Sequence, residues 1–236
     1  MTTASPVTVE TVDLDVTPLR ELNQRLHLLG DPPEPSAWRV VNPGGRHAIA
    51  VGLDADVSVD VDGHVGYYCA GMNKHATVRV HGNCGVGVAE NIMSGSVIVD
   101  GNASQSAAAT GRGGLVVIHG DASSRCGISM KGADIVVRGS VGHMSAFMAQ
   151  KGRLVVCGDA GDGLGDSIYE ARLYVRGAVA SLGADCIEKE MRDEHRAELR
   201  ELLDGAGLVD ADTSDFRRYG SARRLYNFHV DNAGAY

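Results

Sequence analysis

Nine histidines and five cysteines are the side chains of this 236-residue protein best suited to chemistry. Their spacing argues against most of it. The cysteines stand at 69, 84, 126, 157 and 186 with no Cys-x-x-Cys, so structural zinc and iron–sulfur ligation have no support in their arrangement. Reduced, buried thiols in a cytoplasmic protein are what this pattern predicts. The run GDAGDGLGD (Gly158 to Asp166) is glycine-rich enough to suggest phosphate or calcium. It lacks the strand–loop–helix setting of a dinucleotide fingerprint and the nonapeptide period of calcium-binding β-rolls. No Ser/His/Asp or Cys/His set can be assembled. No catalytic, cofactor-binding or metal-binding residue is therefore assigned to this chain.

The elements that carry these residues are set by a repeat. Segments ending VDVDG, VRVHG, VIVDG, VVIHG, VVRG, VVCG and YVRG place glycines at 63, 82, 101, 120, 139, 158 and 177, always 19 residues apart. Two and four residues before each glycine stand Val, Ile or Leu, from Val59 and Val61 to Leu173 and Val175. The residue between them and the one after them are freer, so each unit holds a strand with one buried face. Asn, Asp or Ser usually follows the glycine, and only Gly, Ser or Ala occurs three residues after it. Seven residues after it, only Ala or Gly occurs (Ala70, Ala89, Ala108, Gly127, Ala146, Gly165, Ala184). Small residues at fixed corners suit a narrow coil. The fold class predicted is all-β: a single-stranded right-handed parallel β-helix of about seven 19-residue coils, with flanking N- and C-terminal helices. A 19-residue period is not a multiple of six, which separates it from the hexapeptide repeats of left-handed β-helix acyltransferases. On this geometry His81 and His119 share an outward column two coils apart, about 9.6 Å, too far for one metal; His64, His75 and His143 fall in other columns.

Three regions follow: an N-terminal helix and capping segment over 1–56, the β-helix over 57–186, and a C-terminal helix and tail over 187–236. A solenoid has two open ends, and the flanks read as their covers. Thr17 is placed as N-cap and Pro18 at the first helical position, followed by an apolar stripe of Leu19, Leu22, Leu26 and Leu29 before Gly30. Trp38 to Val51 reads as an irregular first coil, and Ile187 to Leu203 as a second amphipathic helix. One outward column, three residues before each glycine, begins charged (Asp60, Arg79) and turns apolar (Ile98, Val117, Val136, Val155, Tyr174). An apolar stripe over five coils calls for a cover. These five residues are the candidate partner-docking face, covered either by the chain's own flanks or by another subunit.

Composition bounds the partners. A net charge of −8 disfavours nucleic acid and anionic membranes, which need a basic face. No run approaches 18 apolar residues, and the first ten residues lack a signal-peptide pattern, so a soluble, cytoplasmic protein is expected.

The repeat units, RELNQRLH (Arg20 to His27), GDSIYEARLYVRGAVASLGADC (Gly165 to Cys186) and the tail YGSARRLYNFHVDNAGAY (Tyr219 to Tyr236) together resemble a known family. They are similar to the C-terminal β-helix ("GXGXG") domain of glutamate synthase large subunits. The similarity is closer to its stand-alone form, a subunit of N-methylglutamate synthase-type and glutamate synthase-like complexes. The formylmethanofuran dehydrogenase subunit that shares the repeat is a more distant relative. The resemblance implies a non-catalytic structural subunit of an oxidoreductase complex in nitrogen metabolism, making glutamate or, as in methylamine–glutamate N-methyltransferase, N-methylglutamate. It would pack between a class-II glutamine amidotransferase-like subunit and an FMN-dependent glutamate synthase-like subunit, with FMN and the iron–sulfur cluster held by the partner. The alternative is a freestanding β-helix enzyme or ligand-binding module. That function calls for a groove of aromatics and carboxylates, whereas Tyr67, Tyr68 and Tyr174 are scattered.

Overall fold

A computed structural model describes residues 8–225. The elements in chain order are β1 (Val9–Asp13), α1 (Leu19–His27), β2 (Ala37–Val41), β3 (Ser58–Asp62), β4 (Thr77–Val80), β5 (Ser96–Val99), β6 (Leu115–Ile118), β7 (Lys131–Val137), β8 (Lys151–Val156), β9 (Arg172–Val175), β10 (Cys186–Lys189), α2 (Asp193–Gly205) and β11 (Arg217–Ser221). The strands form one 11-stranded sheet in the order β1-β2-β3-β4-β5-β6-β7-β8-β9-β11-β10, parallel from β1 to β9. From β3 to β9 the register advances by the sequence repeat: Val59 opposes Val78, Val78 opposes Val97, and so on to Leu173. The chain is thus a parallel β-solenoid of about seven turns, as the glycine spacing predicts. Its stacking continues upstream of residue 57, because β2 pairs in register with β3 (Val40 opposite Val61).

A second ladder runs two residues after the glycines, through Val65, Cys84, Ala103, Ala122, Val141, Ala160 and Val179. Between it and the next strand the chain turns by an alternation of left-handed residues. Ser106, Ala108 and Thr110 have φ of 60°, 54° and 57°, and Tyr68, Ala70 and Met72 do the same two coils earlier. The alternation aims successive N–H groups at opposite neighbours. Ala108 donates to Val88 of the preceding coil (2.8 Å), while Thr110 donates to Ile128 of the following one (2.8 Å). The corner thereby keeps its backbone groups hydrogen-bonded, as burial requires. Ala108 is fully buried as well as left-handed, so that column admits little beyond Ala and Gly.

Both ends are covered by the chain itself. At the first coil, Leu22 and Leu26 of α1 are buried. Asn23 donates from Nδ2 to the Ala48 carbonyl (2.8 Å) and accepts the Ala50 N–H at Oδ1 (3.0 Å), standing in for a missing coil. Pro18, rather than Thr17, is the N-cap, with no side-chain capping bond. At the other end β11 lies antiparallel on β9, and β10 pairs outside it. The predicted helix from Ile187 therefore begins six residues later, at Asp193. Ile187 is in a strand opposite Gly220, since pairing with β11 outweighs local helical preference. Residues 226–236 of the tail segment used in the family resemblance lie outside the described residues. No helix among the described residues is long and apolar enough to cross a membrane.

Candidate docking surface

The outward face of the sheet divides at Ile98. Val117, Val136, Val155 and Tyr174 are buried, and the cover is α2 with the segment after it: Leu199, Leu202, Leu203, Ala206 and Phe216 join them in one cluster, with Ile98 partly buried at its margin. Of the two covers the sequence allowed, the structure shows the chain's own. The stripe is filled rather than open to another subunit, because fully burying each such side chain is worth about 1.5–3 kcal/mol and α2 supplies the matching apolar face.

A polar clasp fastens α2 to the sheet. Glu198 accepts from Arg172 Nε at 2.8 Å and from the Tyr174 hydroxyl at 2.5 Å. Arg153 sits 3.6 Å from Glu198 and forms a second ion pair with Asp134 through Nε at 2.6 Å. Burial raises the Glu198 carboxyl, but the bonds from Arg172 and Tyr174 outweigh it and hold its pKa below the usual range. Burial, reinforced by Glu198, pushes the Tyr174 phenol up, so it stays a donor.

The uncovered half of the face is charged and cross-linked between coils. Arg39 donates to Asp62 (2.6 Å) and Arg79 to Asp100 (2.9 Å). His81 lies between carboxylates, with Nε2 2.7 Å from Asp60 and Nδ1 2.7 Å from Asp100. Two carboxylate partners require both ring nitrogens to carry protons. Burial pulls the His81 pKa down, and the hydrogen bonds to Asp60 and Asp100 outweigh it, leaving the pKa raised.

The turn residues after the glycines make a further ladder. Asn83 Oδ1 accepts the Asn102 N–H, Asn102 Oδ1 the Asp121 N–H, and Asp121 Oδ1 the Ser140 N–H, each at 2.8 Å. In GDAGDGLGD the three aspartates are used the same way: Asp159 accepts Ala178 N–H, Asp162 the Ser181 hydroxyl and Asp166 the Ala184 N–H. Among the described residues no three His, Cys, Asp or Glu side chains converge on a metal position. A cleft of about 540 Å³ at the α1 end is lined by His27, Asp31, Asp54 and His75 over Leu26 and Leu29. Two of its polar groups are already engaged, Asp54 with Lys74 (2.8 Å) and His27 Nε2 with the Val51 carbonyl (2.6 Å).

All five cysteines are buried. Burial pushes the thiols of Cys69 and Cys126 up to about 12, so neither is a nucleophile at neutral pH.

Sequence reasoning placed the outward stripe but missed the clasp. The opposite charges of Asp134 and Arg153, one repeat apart, were its only visible signal.

These features define a self-capped parallel β-solenoid whose outer sheet face is half covered by its own helix. The chain is 64% identical over 225 residues to Protein GlxC of Rhizobium meliloti (strain 1021), covering 95% of this chain and 99% of that protein. It belongs to the GlxC family. No protein-family profile matches the chain, and no solved structure matches it.

Proposed function

We propose that this chain is a structural subunit of a glutamate synthase-like complex, of the glutamate or N-methylglutamate synthase type. In this reading it packs between a class-II glutamine amidotransferase-like subunit and an FMN- and iron–sulfur-bearing synthase-like subunit, and the reacting groups belong to those partners. The observation that carries the reading is where the most family-like segment lies. Gly165 to Cys186 forms the last coil, with β9 and the corner after it, and the apolar stripe of the rod is closed by the chain's own C-terminal flank. A self-contained rod of fixed length suits a spacer that holds other subunits in register.

The test is purification of the tagged full chain from its native cells. Co-elution of amidotransferase-like and synthase-like subunits with a flavin absorbance spectrum supports the reading. A colourless protein that elutes alone at its own mass sinks it.

A further inference from the structure

Ion pairing between neighbouring coils is the rule on this solenoid. Arg39 reaches Asp62, Lys74 reaches Asp54, Arg79 reaches Asp100 and Arg153 reaches Asp134. One corner gathers three cations that stand outside this pattern. Eleven residues after the repeat glycine, Arg112 and Lys131 occupy the same column of adjacent coils, and Lys151 stands opposite Lys131 in the sheet register. The Lys131 N–H bonds to the Gly111 carbonyl beside Arg112, so these coils are in direct contact. All three side chains are exposed, and among the described residues none takes part in an ion pair or side-chain hydrogen bond. Like charges stacked directly opposite one another weaken a sheet, and the carboxylate one repeat beyond Lys151, Glu170, is engaged by Arg223 at 3.0 Å.

We propose that Arg112, Lys131 and Lys151 form a docking ridge for a carboxylate-rich surface of a protein partner; this rests on the reading of the chain as a subunit of an assembly. Three cations at coil spacing, about 4.8 Å apart, give a rigid row on the order of 10 Å long. That length matches a short acidic segment. Without these three residues the chain carries −8 − 3 = −11. Such a background repels an extended polyanion, whether nucleic acid or an anionic bilayer, which must lie across much more of the surface than one corner. A protein partner can place its carboxylates on the ridge alone, where charge complementarity sets register and speeds encounter.

The test compares wild type with R112E/K131E/K151E and with the milder R112Q/K131Q/K151Q, both as full chains, after confirming unchanged melting temperatures. The probe is a decaglutamate peptide, followed by fluorescence anisotropy at low and high salt. Wild type should bind at low salt, the Gln variant about tenfold more weakly and the Glu variant not measurably, with binding by wild type falling steeply as salt rises. Equal binding by all three proteins, no binding by wild type, or tighter binding of wild type to single-stranded DNA or phosphatidylserine vesicles overturns the proposal. A second arm repeats the native purification with the Glu variant. Loss of the flavin-bearing partners from a normally folded variant supports the ridge, while their full retention overturns it and leaves the scaffold reading intact. If wild type itself captures no partner, the scaffold reading fails, and the peptide measurement still decides the ridge.

Discussion

The Tyr174 hydroxyl donates to Glu198 Oε1 at 2.5 Å, and this contact joins the last 19-residue coil to the helix that folds back over it. Glu198 is only 17% exposed and also receives Arg172. Removing it leaves a buried phenol and a guanidinium without their acceptor, whereas removing the phenol's oxygen leaves Glu198 still bonded to Arg172. Glu198→Ala should therefore cost about 2–4 kcal/mol and Tyr174→Phe about 1 kcal/mol in urea unfolding. The reverse order would mean the clasp is not centred on the carboxylate.

The apolar half of the same interface predicts a larger effect. Val136 is fully buried in the cluster beneath α2. Val136→Asp would bury an unpaired carboxylate, so α2 should lift away. Faster limited proteolysis after residue 190 and a melting temperature lowered by more than about 10 °C are the expected readouts. Val136→Ile adds only one methylene and should cost no more than about 1–3 kcal/mol through overpacking, without speeding cleavage after residue 190.

The solenoid itself was legible because its period is written in single residues: a glycine, two inward aliphatics and an Ala or Gly corner recur at fixed columns. The columns between corner and strand were not. Cys69, Val88, Ala107, Cys126, Ser145 and Leu164 line the interior six residues after the glycine, yet their chemistry varies too much to advertise a buried position. The inward aim of that column comes from the alternating left-handed backbone, which alternation patterns of a flat strand do not encode. The C-terminal flank misleads for a different reason. Ile187 fits a helical stripe locally, and only the distant strand β11 converts it to β10. The apolar outer stripe was legible as needing a cover, but the choice between helix and partner depended on α2 folding back so that its apolar face meets the stripe and Glu198 meets Arg172 and Tyr174, contacts between distant parts of the chain.

The two halves of the outer face should respond to pH in opposite directions. His81 has a raised pKa, so its contribution is complete below its unfolded value near 6.5 and disappears as pH rises through the folded value. Glu198 has a lowered pKa, so its contribution is complete above the unfolded carboxylate value and disappears as pH falls through the folded one. An NMR titration of the His81 imidazole should give a midpoint above that of a free histidine. Asp100→Asn should bring the midpoint down, and no change would show that the carboxylate at 2.7 Å is not felt.

Burial of the thiols predicts that native protein reacts with a disulfide reagent far more slowly than protein in denaturant. Cys186, although near the end of the described chain, is 4% exposed, and burial raises its thiol to about 12. Rapid release of one thiol equivalent by native protein at pH 8 would contradict this packing.

The repeat glycine makes the sharpest comparison. At Gly120 an added Cβ would lie 2.1 Å from Asn102 Oδ1 and 2.7 Å from the Gly101 carbonyl oxygen. The same Asn102 oxygen accepts the Asp121 N–H, so Gly120→Ala disturbs coil stacking and the polar ladder together. At Gly30 the nearest atom to an added Cβ is the Pro32 carbonyl oxygen at 3.8 Å, an ordinary contact. Gly120→Ala should destabilise by at least about 2 kcal/mol, while Gly30→Ala should be neutral or stabilise by up to about 1 kcal/mol through loss of unfolded-chain freedom. Chemical unfolding of the two variants separates the explanations. If both change stability alike, the glycines at 19-residue spacing are retained for flexibility; if only Gly120→Ala fails, they are retained because adjacent coils approach too closely for any side chain.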